Sequence, residues 1–333
     1  MLKRTFKLFS CLFCVVLFFC NIISVSALEK YFIECGCVEI TFADYEKLKQ
    51  VGLSEKAIFN LEYEEFKKIK KFTILNTTKE ETYLKFTCKD SEVISKTLSK
   101  EKFDLEMNEC NFYETTNAEN SYAKMVITAS QINSEANRSG QFFVNVTINW
   151  TPQPPHFYNE IVGIVFADNL QSNGVYIDGS QYPEFTGKMF YDVHHYEEDL
   201  TNMKVIDDYY SGANTIDLKG NDYIYIIDRT ILTKFTLPKD KNIDTTSALI
   251  KRKGYIDYYN YEVNLSGYFV SKYHDIARTS FAGLYVHQSG TGSINWGNIT
   301  ISASEPYFSY SMSPGTNDPN FDKPLSKTVF LTI

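Results

Sequence analysis

The stretch QFFVNVTINW, residues 141–150, decides how the chain is read. Its even positions, Phe142, Val144, Val146, Ile148 and Trp150, are all apolar. The odd positions, Gln141, Phe143, Asn145, Thr147 and Asn149, are mostly polar. A period of two describes a β-strand with one face in a core. TPQPP (151–155) ends it, and IVGIVFA (161–167) follows, apolar on both faces as a central strand would be. The same reading expects strands at 122–132, 186–194, 222–236, 255–269, 281–287, 295–303 and 327–333. Many strands between Gly, Asn, Asp and Pro turns predict an antiparallel, jelly-roll-like β-sandwich over residues 122–333.

Upstream the period changes. TFADYEKLKQVG (41–52) offers Thr41 or Asp44 as an N-cap, Tyr45, Leu48 and Val51 at helical spacing, and Gly52 as a stop. Ser54 caps a second short helix carrying Ala57, Ile58 and Leu61; a third places Tyr63, Phe66 and Ile69 on one face. Helices this short are marginal alone, so they must pack on one another or on the β-domain. Residues 72–106 read as a β-hairpin turning at Asp90 and Ser91, and 107–121 as a polar linker or long loop. The expected organisation is therefore a small helical module at 28–71, a hairpin and linker at 72–121, and the sandwich.

Residues 1–27 stand apart. Lys3, Arg4 and Lys7 precede the apolar run LFSCLFCVVLFFCNII, and Val25-Ser26-Ala27 supplies small residues for cleavage. That is the pattern of a secretory signal peptide, so a secreted protein is expected, with no stable membrane insertion after cleavage. Without those three cations the 33 basic residues fall to 30 against 41 acidic, net −11. So acidic a chain, with no basic stripe, argues against nucleic acid and against anionic membrane binding. Three of the seven cysteines lie in the leader; Cys35, Cys37, Cys88 and Cys110 remain. An even count in an exported chain suggests disulfides, with three possible pairings, and Cys35-Gly36-Cys37 is too tight to close on itself without strain. Free thiols and a four-thiolate zinc site are the alternatives, though zinc normally takes two CxxC-like knuckles.

The order of features resembles a group of uncharacterised secreted proteins from low-GC Gram-positive bacteria. The resemblance lies in LKQVGLSEKAIFNLEYEEF, TTKEETYLKFTCKDSEVISKTLS, VTINWTPQPPHFYNEIVGIVF and GLYVHQSGTGSINWGNITISAS. It implies export and an α-then-β build, and it carries over no functional residue.

Chemistry-bearing patterns are sparse. YDVHHYEEDL (191–200) offers Asp192, His194 and His195 as metal candidates; on a strand Asp192 and His194 share a face. HExxH and the companion segments of metallophosphatases are missing, so a polar strand end or loop is expected instead, and no cofactor. DPNFD (318–322) begins like a calcium loop but has Lys323 where Gly belongs and Val329 where Glu belongs. No GxSxG elbow occurs. Glu160, Asp168, Asp178 and Glu184 flank the central strand without a spacing that marks a glycosidase pair.

Tyrosine is the remaining excess, with 24 Tyr and 25 Phe against 2 Trp. In GYIDYYNYEVNL (254–265) a period of two puts Tyr255, Tyr259, Tyr261, Val263 and Leu265 toward the core and presents Tyr258. In IDDYYSGAN (206–214), Tyr209 and Tyr210 sit among turn formers and are expected on an exposed loop. The favoured role is a non-catalytic extracellular binding protein, using Tyr209, Tyr210 and Tyr258 on a polysaccharide or cell-surface protein. Two alternatives are a secreted hydrolase of wall or host polymer and a β-type toxin, the latter suggested by the alternating TILTKFTLP (230–238).

Overall fold

Every strand pairing among the described residues is antiparallel. The computed structural model describes residues 31–33, 38–89, 92–109, 120–133, 140–151, 159–171, 176–177, 180–181, 185–218, 224–227, 229–246, 251–273, 277–287, 299–304, 307–312 and 325–332. In chain order these form β1 (Tyr31–Ile33), β2 (Val38–Ile40), α1 (Phe42–Gln50), α2 (Glu55–Phe59), α3 (Tyr63–Lys71), β3 (Thr73–Lys89), β4 (Glu92–Leu98) and α4 (Lys100–Glu109). There follow β5 (Asn120–Asn133), β6 (Gln141–Thr151), β7 (Asn159–Phe166), β8 (Leu170–Gln171), β9 (Tyr176–Ile177), β10 (Ser180–Gln181), β11 (Phe185–Asp199) and β12 (Lys204–Asp217). The last are β13 (Ile224–Ile227), β14 (Thr230–Thr236), β15 (Lys241–Asn242), β16 (Thr245–Thr246), β17 (Lys251–Ser271), β18 (Arg278–His287), β19 (Ile299–Ser304), β20 (Tyr307–Met312) and β21 (Leu325–Thr332).

A large sheet runs in the order β12-β11-β17-β6-β5-β3-β4, with β8, β15 and β16 also paired to β17. A second runs β13-β14-β7-β18-β21, so the apolar run 161–166 of β7 is indeed central. The two stack as an antiparallel sandwich around Phe142, Val144, Val146, Ile148 and Trp150 of β6, facing Val162, Ile164, Phe281 and Tyr285. At Gly163 of β7 a Cβ would come within 2.6 Å of Leu232 Cδ2 and 3.1 Å of the Ile231 carbonyl oxygen, so the close approach of β14 favours glycine. TILTKFT, the stretch suggestive of insertion, is β14, largely buried between β7 and β13. The β3–β4 hairpin continues the large sheet, since β3 pairs with β5 over most of its length.

The expectation that β6 has one solvent face is corrected: Phe143, Asn145 and Thr147 are buried too. The cover is the helical module. Leu48, Val51, Ile58, Phe66 and Ile69 pack with Phe72, Ile132, Phe143, Phe190 and Tyr268 on the outer face of the large sheet. Each such side chain contributes about 1.5–3 kcal/mol on burial, which is what holds three helices too short to stand alone. Thr41 and Asp44 form a reciprocal capping box on α1, and Ser54 caps α2 through the Ala57 N–H at 3.0 Å. Gly52, with φ +95°, seats the module: its carbonyl accepts from Asn145 Nδ2 at 2.7 Å, and Thr128 stands where a Cβ would be. Tyr63 departs from its expected place; it is exposed, with Lys67 Nζ 4.1 Å from its ring centre.

The seam under the module also carries charge. Glu65 is buried, its Oε1 accepting from Thr186 Oγ1 at 3.1 Å, and burial pushes its carboxyl up against the opposing pull of Lys188. Glu262 accepts from Ser54, and burial raises its carboxyl as well. Lys188 Nζ donates to Asn60 O at 2.6 Å, and Lys56 Nζ to Asn260 O at 2.8 Å.

Besides the short strands β1, β2, β8–β10, β15, β16 and β20, two longer elements were not anticipated. Residues 100–109 form α4 where the end of a hairpin and a linker were expected; Phe103 anchors it against Tyr83 and Tyr122. Residues 204–217 form β12 where a loop was expected.

Candidate functional site

The large sheet outruns both of its covers. Beyond Asp192 on β11 and Tyr258 on β17, neither core cluster contains a residue of this end. Among the described residues, what remains is a single-layer blade made of β12, β11, the first part of β17, and the short β15 and β16. Its β11 residues are half-buried throughout, and β12 is exposed from Lys204 to Tyr210.

A phase change in β17 sets which tyrosines face where. Phe190 pairs with Glu262 but Asp192 pairs with Tyr259, the slip lying beside Asn260 at φ +52°. A bulge adds one residue and exchanges the faces of everything beyond it. Tyr261, Val263 and Leu265 are core as expected, but Tyr258 packs against that same core, 5.6 Å from Tyr191. Tyr255 and Tyr259, expected inward, turn to the opposite face. The expectation that Tyr258 alone is presented is thereby corrected, since a period of two cannot register a bulge.

On the face shared with the helical module stands an aromatic ladder. His194 stacks on Tyr210 with centroids 4.1 Å apart and planes 9° from parallel. Tyr255 meets His194 edge-on at 5.4 Å and stacks on Tyr196 at 5.2 Å. The cross-strand register, His194↔Tyr210 and Tyr196↔Tyr255, brings these rings together. Carboxylates line them. His194 Nε2 lies 2.9 Å from Asp208 Oδ1, and Asp257 pairs with His194 from the other side. Burial raises the Asp257 carboxyl, Asp240 adds to the effect, and His194 opposes it. Burial likewise raises the Tyr255 hydroxyl, with Asp257 adding to it.

The sequence candidates are thus divided. Tyr210 belongs to the ladder; Tyr209 lies on the opposite face, 4.9 Å from His195. Both are exposed, Tyr210 at 68% and Tyr209 at 51%, but on a strand at the sheet edge and not on a loop. Asp192 and His194 share the ladder face, and His195 points the other way, so the three do not converge. Asp192 is instead held by Asn260 Nδ2 at 2.8 Å and Lys56 Nζ at 3.4 Å. Among the described residues no three His, Cys, Asp or Glu come together as metal ligands. Cys35, Cys37 and Cys110 lie outside the described residues, as do Asp178, Glu184 and the 318–322 stretch; Cys88 is described only as backbone of β3. Residues 1–27 lie outside them too.

One polar cluster escaped the sequence reading. Glu160, at the start of β7, accepts from Tyr285 Oη at 2.7 Å and lies 2.8 Å from His287 Nδ1; Trp150 Nε1 donates to Tyr285 Oη at 3.2 Å. All four side chains are buried. The signal was a polar residue at one end of each of two apolar runs, which the register pairs as His287↔Glu160. Asp168, by contrast, is exposed, 3.9 Å from Arg229.

No protein-family model matches the chain, and no curated protein matches it either. A solved structure titled pore forming protein is similar over 65% of this chain and 93% of that one, at 8% identity and a TM-score of 0.22. So low a score supports neither a shared fold nor a shared activity.

Proposed function

We propose that this is a secreted, non-catalytic binding protein that holds a glycan against the aromatic ladder of the blade. The observation that carries this is Tyr210: its inner ring face lies on His194, and no described strand lies beyond β12, which leaves its outer ring face open. A sugar ring packs its C–H face on such a surface, and its hydroxyls find acceptors in Asp208 and the neighbouring tyrosine hydroxyls. The ladder beneath fixes the ring in place, so little side-chain entropy is lost on binding.

The hydrolase reading has less to stand on. The Glu160–His287 pair is enclosed in the sandwich, where a polymer chain cannot reach it. The toxin reading asks β14 to leave a sheet in which it pairs on both sides.

Retention on immobilised polysaccharides tests the proposal. Tyr210→Ala should weaken retention about tenfold while Tyr209→Ala, on the opposite face, leaves it nearly unchanged. Equal behaviour of the two variants refutes the assignment, and retention by a partner protein in place of every polysaccharide would make the ladder a protein-binding surface.

A further inference from the structure

Twelve large apolar side chains are exposed among the described residues, and six of them lie between positions 200 and 210. Scattered exposed apolar residues need no explanation, but this concentration does. Four of the six, Leu200, Met203, Val205 and Ile206, sit at the far end of the blade, away from the ladder. The turn that carries them is built by polar groups. Asp199 Oδ1 accepts from the N–H of Thr201 at 2.8 Å and of Asn202 at 3.2 Å, and Asp199 Oδ2 accepts from Asn202 Nδ2 at 2.8 Å. Such a frame has no need of apolar side chains. Yet Met203 occupies a positive-φ position (+49°), where Gly or Asn is favoured, and is 87% exposed.

The charges around the turn are sorted. The two outermost rows pair Asp199 with Lys204 and Arg252, and Glu198 with Val205 and Lys253; the Lys251 carbonyl holds the Leu200 N–H at 2.9 Å. That end carries four cations, Lys204, Lys251, Arg252 and Lys253, against three acids, Glu198, Asp199 and Asp244, with Arg252 Nη1 donating to Glu197 Oε1 at 3.1 Å; Lys204, Lys251 and Lys253 are exposed. The next rows inward carry Glu197, Asp207, Asp208 and Asp257.

We infer that this turn is a docking tip for an anionic lipid surface. Leu200 and Met203 enter the boundary between headgroups and acyl chains, while Lys204, Lys251 and Lys253 sit at the phosphates. The acids behind the tip and the net charge of −11 of the chain without its leader repel the rest of the molecule from the same surface. Contact is therefore end-on, peripheral and reversible, with no strand crossing the bilayer. The net charge argues against broad adsorption, and the local sorting argues for a point contact.

Co-sedimentation of the purified protein with vesicles tests this, using phosphatidylcholine alone and phosphatidylcholine mixed with phosphatidylglycerol. The protein should pellet with the mixed vesicles at low salt and be released at high salt. The double variant Leu200→Asn/Met203→Asn should partition about tenfold less, while Leu105→Asn, an exposed apolar site on α4, should behave like the parent. Absence of binding to the mixed vesicles, or parent-like binding by the double variant, overturns the inference. So does a dimer in light scattering that the double variant alone dissolves, since the tip would then serve a second copy of the chain. Polysaccharide retention is measured apart from vesicles, so failure of the ladder and failure of the tip are separate results.

Discussion

Replacing Gly52 by Ala is the sharpest test of how the helical module is seated. At φ +95° a side chain is strained, by about 1–2 kcal/mol in the left-handed region. The added methyl would stand 2.5 Å from both Cβ and Oγ1 of Thr128, atoms fixed to a central strand, and overpacking of that kind costs about 1–3 kcal/mol. Together these predict a loss of roughly 2–5 kcal/mol. If the turn moves aside instead, the 2.7 Å bond from Asn145 to the Gly52 carbonyl breaks under the module, and the cost returns as a buried amide short of an acceptor. Urea unfolding, followed by fluorescence of the buried Trp150, gives the global figure, and native-state hydrogen exchange over residues 42–71 shows whether the module lifts off first. A Thr128→Gly change removes the overlap but not the strain, so a double-mutant cycle should return a coupling of about 1–3 kcal/mol. Gly212→Ala is the control, because its methyl would meet only Asp192 Oδ1, at 3.8 Å. A Gly52→Ala protein within about 0.5 kcal/mol of the parent, or no coupling to Thr128, refutes the seating argument.

Other outcomes follow from single groups. Burial raises the Glu65 carboxyl, so its charge opposes docking at neutral pH; the stability it gives is complete below its ordinary pKa of 4.5 and lost as pH rises through the folded value. Glu65→Gln should therefore raise the melting temperature at pH 7 and leave it nearly unchanged at pH 4, read by scanning calorimetry. Glu81 has the opposite sign: burial works to raise it, but hydrogen bonds from Tyr83, Lys79 and Lys124 hold it at about 2. It gives stability above pH 4.5 that fades as pH falls toward 2, so Glu81→Gln should flatten that acid limb of the unfolding curve. Glu160→Ala removes the acceptor that Tyr285 and His287 share inside the sandwich and should cost roughly 3 kcal/mol in urea unfolding, with Glu160→Gln milder.

The strands of the two stacked sheets were legible because their patterns are local signals: β6 alternates, and β7 is an unbroken apolar run. The helical module was legible from its caps and from Gly52. What the sequence could not show was where the covers stop. Phe143 reads as a lone apolar residue on a polar face until α1–α3 are placed over it. β12 was missed because burial writes the period of two, and this strand is exposed along the blade. Tyr209 and Tyr210 look equivalent as neighbours, and only pairing with His195 and His194 separates them. The faces of Tyr255 and Tyr258 depend on one extra residue at Asn260, a bulge with no signature in composition. The Glu160 cluster needed the register of β7 against β18, which no single segment encodes.

β17 joins the blade to the sandwich as one continuous strand bulged at Asn260, free of cover by described residues at one end and locked at the other by a ladder to β6 running from Glu262 to Val270. Mechanically it is a cantilever. A pull on the blade along its length loads that ladder in shear, so its hydrogen bonds share the force and must fail together. A pull across the blade peels β12 from β11 one bond at a time. A molecule holding a surface by this end would thus resist drag along the strand direction far better than sideways tearing, and the direction of the load, more than the strength of the ligand contact, would set how long it holds on.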